Sequence, residues 1–376
     1  LRRQRQMCIR DRVTVVAENL GTIAKEDIQM MFGEIPATDI TIVDESTFTV
    51  KVPSLTTFGE IPLSMTIHGV EMNMGGYAAF EILASPVITS VETDNKFSSK
   101  AVQVGNTVTI KGTGFRNSTI SSATFGGQDL NYTVVSDTEI TASVSEQCAE
   151  GEDVITLKFD DVVVDVVSGD KLNMLKAGSD ISDYILTNVK QPFESKEGKT
   201  SGHCTPVGWK FNYGAGNDGF CHNESEIEMP GEGLYMNDQG GLLVIQSGWE
   251  GRSKKMNGKM FQTFNIPQGV YDVVIDVAEL ATNGSGRKKA GLFISKGGEE
   301  QTPNMDASGN WTENTNLLKS VDFYMPGETY SENYKDQRFV IENLTIDYEG
   351  ETTLGFAVHF DSNRALKISS IKVLLK

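Results

Sequence analysis

Short runs of Val, Ile, Phe and Thr, separated by Gly, Asn and Ser, recur along all 376 residues. That texture is what strands and tight turns need, so long helices are not expected. The clearest pattern lies toward the C-terminus, where Tyr271, Val273, Ile275 and Val277 recur at period two and so face one way. Lys259 to Ile266, the turn Pro267-Gln-Gly269, and Tyr271 to Val277 are predicted to form a hairpin. Leu354, Phe356, Val358 and Phe360 repeat the alternation, and Leu366 to Leu375 reads as a closing strand. Sequential antiparallel strands joined by long Gly/Asn loops predict a jelly-roll sandwich. Ser179 and Asp180 are predicted to cap one short helix through Tyr184 to Asn188, a linker element.

The front half repeats itself. Val108-Thr-Ile-Lys-Gly-Thr-Gly-Phe115 is followed by Ala123-Thr-Phe-Gly-Gly127 and then by Val134-Val-Ser-Asp-Thr-Glu-Ile-Thr-Ala142. Upstream, Val13 to Leu20, Met31-Phe-Gly33 and Ile42 to Val50 stand in the same order at similar spacing, which marks an internal duplication. Gly112 and Gly114, matched by Ala17 and Asn19, are predicted to sit at a strand-end kink where positive φ is tolerated. Phe125-Gly126 and Phe32-Gly33 place an aromatic inward and a small residue in the turn that follows. Ile140 and Phe48 alternate with polar neighbours in a half-buried strand. Each copy is thus expected to be a small antiparallel sandwich of about seven strands.

Three domains follow from these shifts in pattern: 13–85, 86–175 and 176–376. Leu1 to Arg12 stand apart, with five arginines and no period of either kind, and their string RQMCIRDR resembles translated sequencing-adapter read-through. They are set aside from the fold as a non-native arm, so any secretion signal or lipid-anchored Cys is expected upstream of what is visible. Removing that arm's five Arg and one Asp from the formal charge of −18 leaves −22. So acidic a surface repels phosphate backbones and anionic lipid, which disfavours nucleic-acid or membrane-surface binding. No apolar run approaches the roughly 20 residues that span a bilayer.

GTGF, TFGG and VVSDTEITASV, taken as a set, resemble the IPT/TIG immunoglobulin-like domain. The second copy opens at Pro86-Val-Ile-Thr-Ser-Val91 and runs to about Leu175, whereas the first has no counterpart of that opening strand. In the family such domains act as spacers or interaction modules, and the lack of a basic loop cluster counts against its DNA-binding branch. GKMFQTFNIPQGVYDVVIDV and RALKISSIKVLL resemble galactose-binding-like domains at the C-termini of Bacteroidetes surface proteins. Those proteins often carry IPT/TIG domains in front and are encoded with Sus-type glycan-uptake systems. The resemblance implies an all-β chain of two Ig-like sandwiches and a C-terminal jelly-roll or galactose-binding-like sandwich. It also implies a cell-surface, lipid-anchored protein of the outer membrane, with an oligosaccharide or polysaccharide and an uptake transporter as partners.

No catalytic constellation stands out. The histidines are His68, His203, His222 and His359, and neither G-x-S-x-G nor H-E-x-x-H occurs in the sequence. His359 lies on the outward phase of its strand and reads as a solvated or edge histidine, as does His68 beside Gly69. Chance pairs among 51 acids do not make a glycosidase, and the chain has no room for a further barrel of about 250 residues. His203-Cys204 and Cys221-His222 form a mirrored pair. Zinc, a Cys204–Cys221 disulfide closing a Gly-rich loop, and two free thiols all remain open, and adjacent His-Cys pairs strain against a tetrahedral site. Glu224, Glu226 and Glu228 offer hard oxygens for a structural calcium without EF-hand spacing, so no cofactor is assigned.

Binding is the stronger candidate, because sugars stack an apolar C–H face on flat rings and present hydroxyls to planar donors and acceptors. Trp249 in Ser247-Gly-Trp-Glu-Gly-Arg252 and Trp311 in Gly309-Asn-Trp-Thr lie in polar, turn-rich stretches. Arg252 is placed to donate a bidentate bond beside Trp249. Trp209 and Tyr213 bracket Phe211 at alternating positions, and Asn363 and Arg364 lie in a polar loop after Asp361. Against each stands the ordinary alternative: tryptophans more often pack or plug the end of a sandwich, and the polar loop is explained by a turn. A surface adhesin whose last domain meets a protein partner is the rival function. It predicts a broad apolar patch where sugar binding predicts exposed rings in a concave site.

Overall fold

The computed structural model describes residues 12–17, 21–53, 59–75, 79–82, 85–160, 162, 164–196, 198, 202–213, 234–236, 241–246, 256–282, 290–323, 334–360 and 364–376. At 82, 202–204, 212, 213, 234–236, 256, 257 and 282 the backbone alone is described. Nearly every element is a strand, and the chain divides into two compact units, Leu1–Leu175 and Lys176–Lys376.

The first unit holds two sandwiches, each around its own core. The first contains Arg12–Val16 (β1), Ile28–Phe32 (β2), Ile35–Pro36 (β3), Thr38–Asp44 (β4), Thr47–Lys51 (β5), Gly59–Ile67 (β6), Val70–Glu71 (β7) and Ala79–Ile82 (β8). One sheet runs β1-β5-β4, the other β3-β2-β6-β7 with β8 on β6. Val13, Val15, Phe32, Phe48, Val50 and Phe80 fill the space between them. The second contains Val87–Thr93 (β9), Ala101–Val102 (β10), Thr107–Thr113 (β11), Ile120–Phe125 (β12), Gln128–Asp129 (β13), Asn131–Val134 (β14), Glu139–Ser143 (β15), Gly151–Phe159 (β16) and Val166–Met174 (β17). Its sheets run β14-β15-β11-β9 and β10-β17-β16-β12-β13, antiparallel except where β10 pairs in parallel with β17.

The duplication is visible in register: β1 pairs β5 with Val15 opposite Phe48, as β11 pairs β15 with Ile110 opposite Ile140. Phe32 and Phe125 point inward at 1% exposure, and Gly33 and Gly126 follow at φ 59° and 57°, where a side chain is strained. Gly114 has the expected positive φ of 75°, but Gly112 does not; a Cβ there would lie 2.0 Å from the Val87 carbonyl oxygen. Gly112 is small because β9 and the Phe115 ring approach closely at a bulge between Lys111 and Gly112. Arg12, set aside with the N-terminal arm, belongs to the fold: it opens β1, its Nη1 pairs with Asp39 at 2.6 Å, and its Nε donates to Thr49.

The second unit contains Ser182–Ile185 (α1), Gly202–Cys204 (β18), Lys210–Tyr213 (β19), Leu234–Met236 (β20), Leu242–Gln246 (β21), Met256–Asn265 (β22), Gly269–Thr282 (β23) and Ala290–Lys296 (β24). Leu317–Phe323 (β25), Tyr334–Ile346 (β26), Glu351–Phe360 (β27) and Arg364–Leu375 (β28) complete it. A six-stranded sheet runs β18-β20-β21-β28-β23-β26 and a five-stranded one β19-β22-β27-β24-β25. The run from β21 to β28 alternates between them as β21-β28-β23-β26 against β22-β27-β24-β25, which is jelly-roll order. The predicted hairpin is therefore not one. β22 pairs β27 and β19, while β23 pairs β28 and β26, so Pro267-Gln-Gly269 is an arch from one sheet to the other. Tyr271 seals it, donating from its hydroxyl to the Pro267 carbonyl at 2.7 Å. The predicted helix is a single turn: Asp180 accepts from the backbone of Ser182, and from Asn188 the chain runs on to pair with β28 at Lys190–Ser370.

Candidate functional site

Antiparallel partners share a face, so register sorts the five-stranded sheet into two layers. Leu354, Phe356, Val358 and Phe360 point inward, where Phe356 meets Phe323, and Phe323 meets Phe339 of the other sheet at 4.5 Å. Phe261 and Phe293 flank Gly355, and Gly291 faces both Ala357 and Asp322; these form the outward layer. Yet Phe261 and Phe293 are completely buried. The segment 297–316 covers them, inserting Met305 and Trp311 into a second, smaller core.

This flap is built by its own turn chemistry. Asp306 accepts hydrogen bonds from the backbone N–H groups of Ser308 at 2.8 Å and Asn310 at 2.9 Å, which hold its carboxyl below the usual range. Gly309 takes φ 82°, and Met305 then pairs with Trp311 across the tip. The Trp311 indole lies over Gly291, where any Cβ would come within 2.5 Å of its Cζ2. Its N–H donates to Asp322 at 2.8 Å and its ring meets Phe293 edge-on at 6.1 Å, leaving it half-buried. Beneath the flap Lys259, 5% exposed, donates to the Thr302 carbonyl at 3.2 Å. Burial pulls its pKa down, against the opposing pull of Glu299. His359 is half-buried, with Nδ1 3.4 Å from the Met305 carbonyl, so it lies under the flap and is not the solvated histidine expected.

Of the other expected sugar contacts, Trp209 is 2% exposed, stacks on Phe356 and donates its N–H to the Asn188 carbonyl at 3.1 Å. It is a core residue, with no ring face available to a ligand. Arg364 is 1% exposed as the first residue of β28, not part of a solvated loop. For Tyr213 and Cys204 only the backbone is described, in β19 and β18. Trp249, Arg252, Asn363, Cys221 and the acids Glu224, Glu226 and Glu228 lie outside the described residues. Among the described residues no group of three His, Cys, Asp or Glu is placed to hold a metal, and no helix is long and apolar enough to cross a membrane.

The opposite outer face, on the six-stranded sheet, carries charge that sequence reasoning missed. Asp272 pairs with Lys376, Asp276 with Arg338 at 2.6 Å, and Glu279 with Lys367. The Arg338 bond holds the Asp276 carboxyl below its usual range, and the Lys376 bond does the same for Asp272. Asp272 and Asp276 fall out of phase with the Tyr271–Val277 row, a signal for an outward face, but their partners are set by topology.

Solved structures similar to this chain include the surface glycan-binding protein PbSGBP-B of Prevotella bryantii, 14% identical, covering 98% of this chain and 93% of that one at a TM-score of 0.20. SGBP-B from a xyloglucan utilization locus of Bacteroides uniformis is 12% identical over 97% and 98%, at 0.24. SGBP-B from the Bacteroides ovatus mixed-linkage glucan utilization locus, in complex with a heptasaccharide, is 12% identical over 99% and 74%, at 0.22. Likeness at this level transfers no ligand. No curated protein matches the sequence. Two segments match known domain families: residues 86–167 match the IPT/TIG domain, and residues 187–329 match a domain of unknown function, DUF5013.

Proposed function

We propose that the chain is a non-catalytic, cell-surface glycan-binding protein whose C-terminal jelly roll holds an oligosaccharide at Trp311. The two Ig-like sandwiches are spacers, and the whole is a lipid-anchored component of a Sus-type uptake system. One observation carries the reading: a tryptophan on an exposed turn, fixed over Gly291 and hydrogen-bonded to Asp322, yet only half-buried. A ring already immobilised loses little entropy when a sugar C–H face stacks on it. The Asp322 carboxylate, at the indole N–H, places a polar group at the ring's edge for the hydroxyls. Trp249 and Arg252, which lie outside the described residues, are assigned to the same function from their sequence context alone.

Electrophoresis of the full chain through gels containing host and dietary polysaccharides tests this. The wild type is expected to be retarded by at least one neutral polysaccharide. Trp311→Ala should weaken that retention about tenfold, equivalent to about 1.4 kcal/mol, with its far-ultraviolet spectrum unchanged. Unretarded migration of the wild type in every gel overturns the proposal, and full retention by Trp311→Ala removes Trp311 from the site.

A further inference from the structure

The six-stranded face contains a cleft of about 460 Å³, lined by Asp276, Val277, Asp336, Gln337, Arg338 and Ser369. It lies where β23 bulges and the neighbouring β26 carries a left-handed residue. Strand β23 slips register against β28 on both sides of Val277. Opposite, the β23–β26 pairing passes from Val277–Gln337 to Glu279–Lys335, and Asp336 between them is left-handed at φ 51°. Bulges of this kind re-aim side chains, and left-handed non-glycine backbone is costly enough to persist only where neighbours enforce it.

The donors and acceptors around the cleft are fixed. Arg338 is held through Nε by Asp276 Oδ1, so its terminal amino groups remain to donate. Asp276 Oδ2 accepts from Ser370 at 2.7 Å, and Ser369 donates to the Asp276 carbonyl at 3.0 Å, so the Ser369 oxygen remains an acceptor. Gln337 Nε2 donates to the Lys335 carbonyl at 2.8 Å, which leaves its Oε1 to accept. The exposed Asp336 carboxylate stands two residues from Arg338.

We propose that this cleft is a second carbohydrate subsite, taking a vicinal diol of a neutral sugar between Arg338 and Asp336. Adjacent hydroxyls each donate and accept, and the guanidinium fork and carboxylate meet both demands. An anionic sugar is disfavoured by Asp276 and Asp336 together, and a divalent cation by Arg338 already on Asp276. The volume lies within the roughly 300–1,000 Å³ of small-ligand sites. The cleft and Trp311 sit on opposite outer faces of one sandwich, so a single molecule would engage two glycan segments and gain avidity. The choice of a sugar rests on the proposed function, but the residues are independent of it.

The test is a titration of the isotopically labelled full chain with methyl glucosides, galactosides, mannosides and xylosides. Galacturonate and calcium chloride serve as contrasts. The Gln337 side-chain amide and the Arg338 Nε–H signals report on the cleft. At least one neutral pyranoside should give saturable shifts, in the wild type and equally in Trp311→Ala. Asp336→Asn and Arg338→Lys, each checked for an unchanged melting temperature, should each weaken binding at least fivefold. No saturable shift with any neutral pyranoside overturns the subsite, as do shifts from galacturonate or calcium instead, or full binding by both variants. Because Trp311→Ala is read separately in the gels, loss of the Trp311 site and loss of this subsite give different results.

Discussion

The two outer faces of the C-terminal sandwich solve the same problem in opposite ways. The five-stranded face is apolar at Phe261 and Phe293 and hides those rings under the 297–316 flap. The six-stranded face is polar, exposed at Arg338 and Lys376 and nearly buried at the Glu279–Lys367 pair, its carboxylates neutralised by Arg338, Lys367 and Lys376. A covering loop removes water, so it can hold an aromatic ring in one pose; an open face must satisfy every charge within itself. The first arrangement suits stacking and the second suits hydroxyl recognition. Both faces hang on the same inner core, so each can be perturbed while the other serves as its control.

The largest effects are expected where each face is driest. Phe293→Ala deletes a ring with no exposed surface and should cost about 3–5 kcal/mol in urea unfolding, because the sheet beneath the flap cannot collapse to fill the void. Lys367→Ala removes the ammonium group paired with the Glu279 carboxylate, whose side chain is 7% exposed, and should cost about 3–5 kcal/mol. Replacing both partners, Glu279→Leu with Lys367→Met, should recover most of that loss. If Lys367→Ala instead costs under about 1 kcal/mol, the pair behaves as a solvated one and the contrast between the faces narrows.

A middle-sized effect sharpens the role of the flap. Gly291→Val places a Cβ 2.5 Å from Trp311 Cζ2 and 2.8 Å from the Val321 carbonyl, so the indole must move. The expected cost is about 1–3 kcal/mol. In a Trp249→Phe background, Trp311 should become more open to acrylamide while the buried Trp209 does not. Unchanged quenching and melting would mean that Gly291 is not what seats the ring.

How much of this was legible in the sequence depends on what period can carry. Period two gives a strand and its buried phase, so Tyr271–Val277, Leu354–Phe360 and the closing strand read correctly. It does not say which sheet a strand joins. Pro267-Gln-Gly269 has hairpin chemistry but spans an arch, because β22 and β23 each find better partners far along the chain. Arg364 misled for a related reason, since polar neighbours mark a turn and not whether the side chain folds back inside; Trp209, in alternation with Phe211 and Tyr213, is equally consistent with a strand, and alternation alone does not say which face is covered. The flap gave a signal that went unused. Gly291-Leu-Phe-Ile294 is apolar on both phases, which requires cover on both faces. Nothing local marks Asp336 or Asp322, since their roles come from strands meeting across long separations.

The smallest effects are those of pH, and they separate the faces by range. Hydrogen bonds from Arg338 and Lys376 lower the folded pKa of Asp276 and Asp272 below the unfolded value of about 3.9. Their stabilisation is therefore complete above that value and lost as pH falls through the folded ones, so acid weakens the open face. Under the flap, burial lowers the folded pKa of Lys259 below its unfolded value of about 10.4. Its contribution is best above that value and declines as pH falls through the folded one, so neutral pH holds a buried cation at a cost. Tyr271 acts oppositely at high pH: burial pushes it up to about 12, so stability is lost as pH rises beyond about 10. The stability difference between wild type and Lys259→Met cancels the tyrosine and should shift in the wild type's favour as pH rises from about 8 to 10.4. The difference between wild type and Asp276→Asn should be flat over that range and shrink only below about pH 4. A Lys259→Met difference that stays level would show that the lysine's charge remains hydrated, and that the flap is open to water where Trp311 needs it closed.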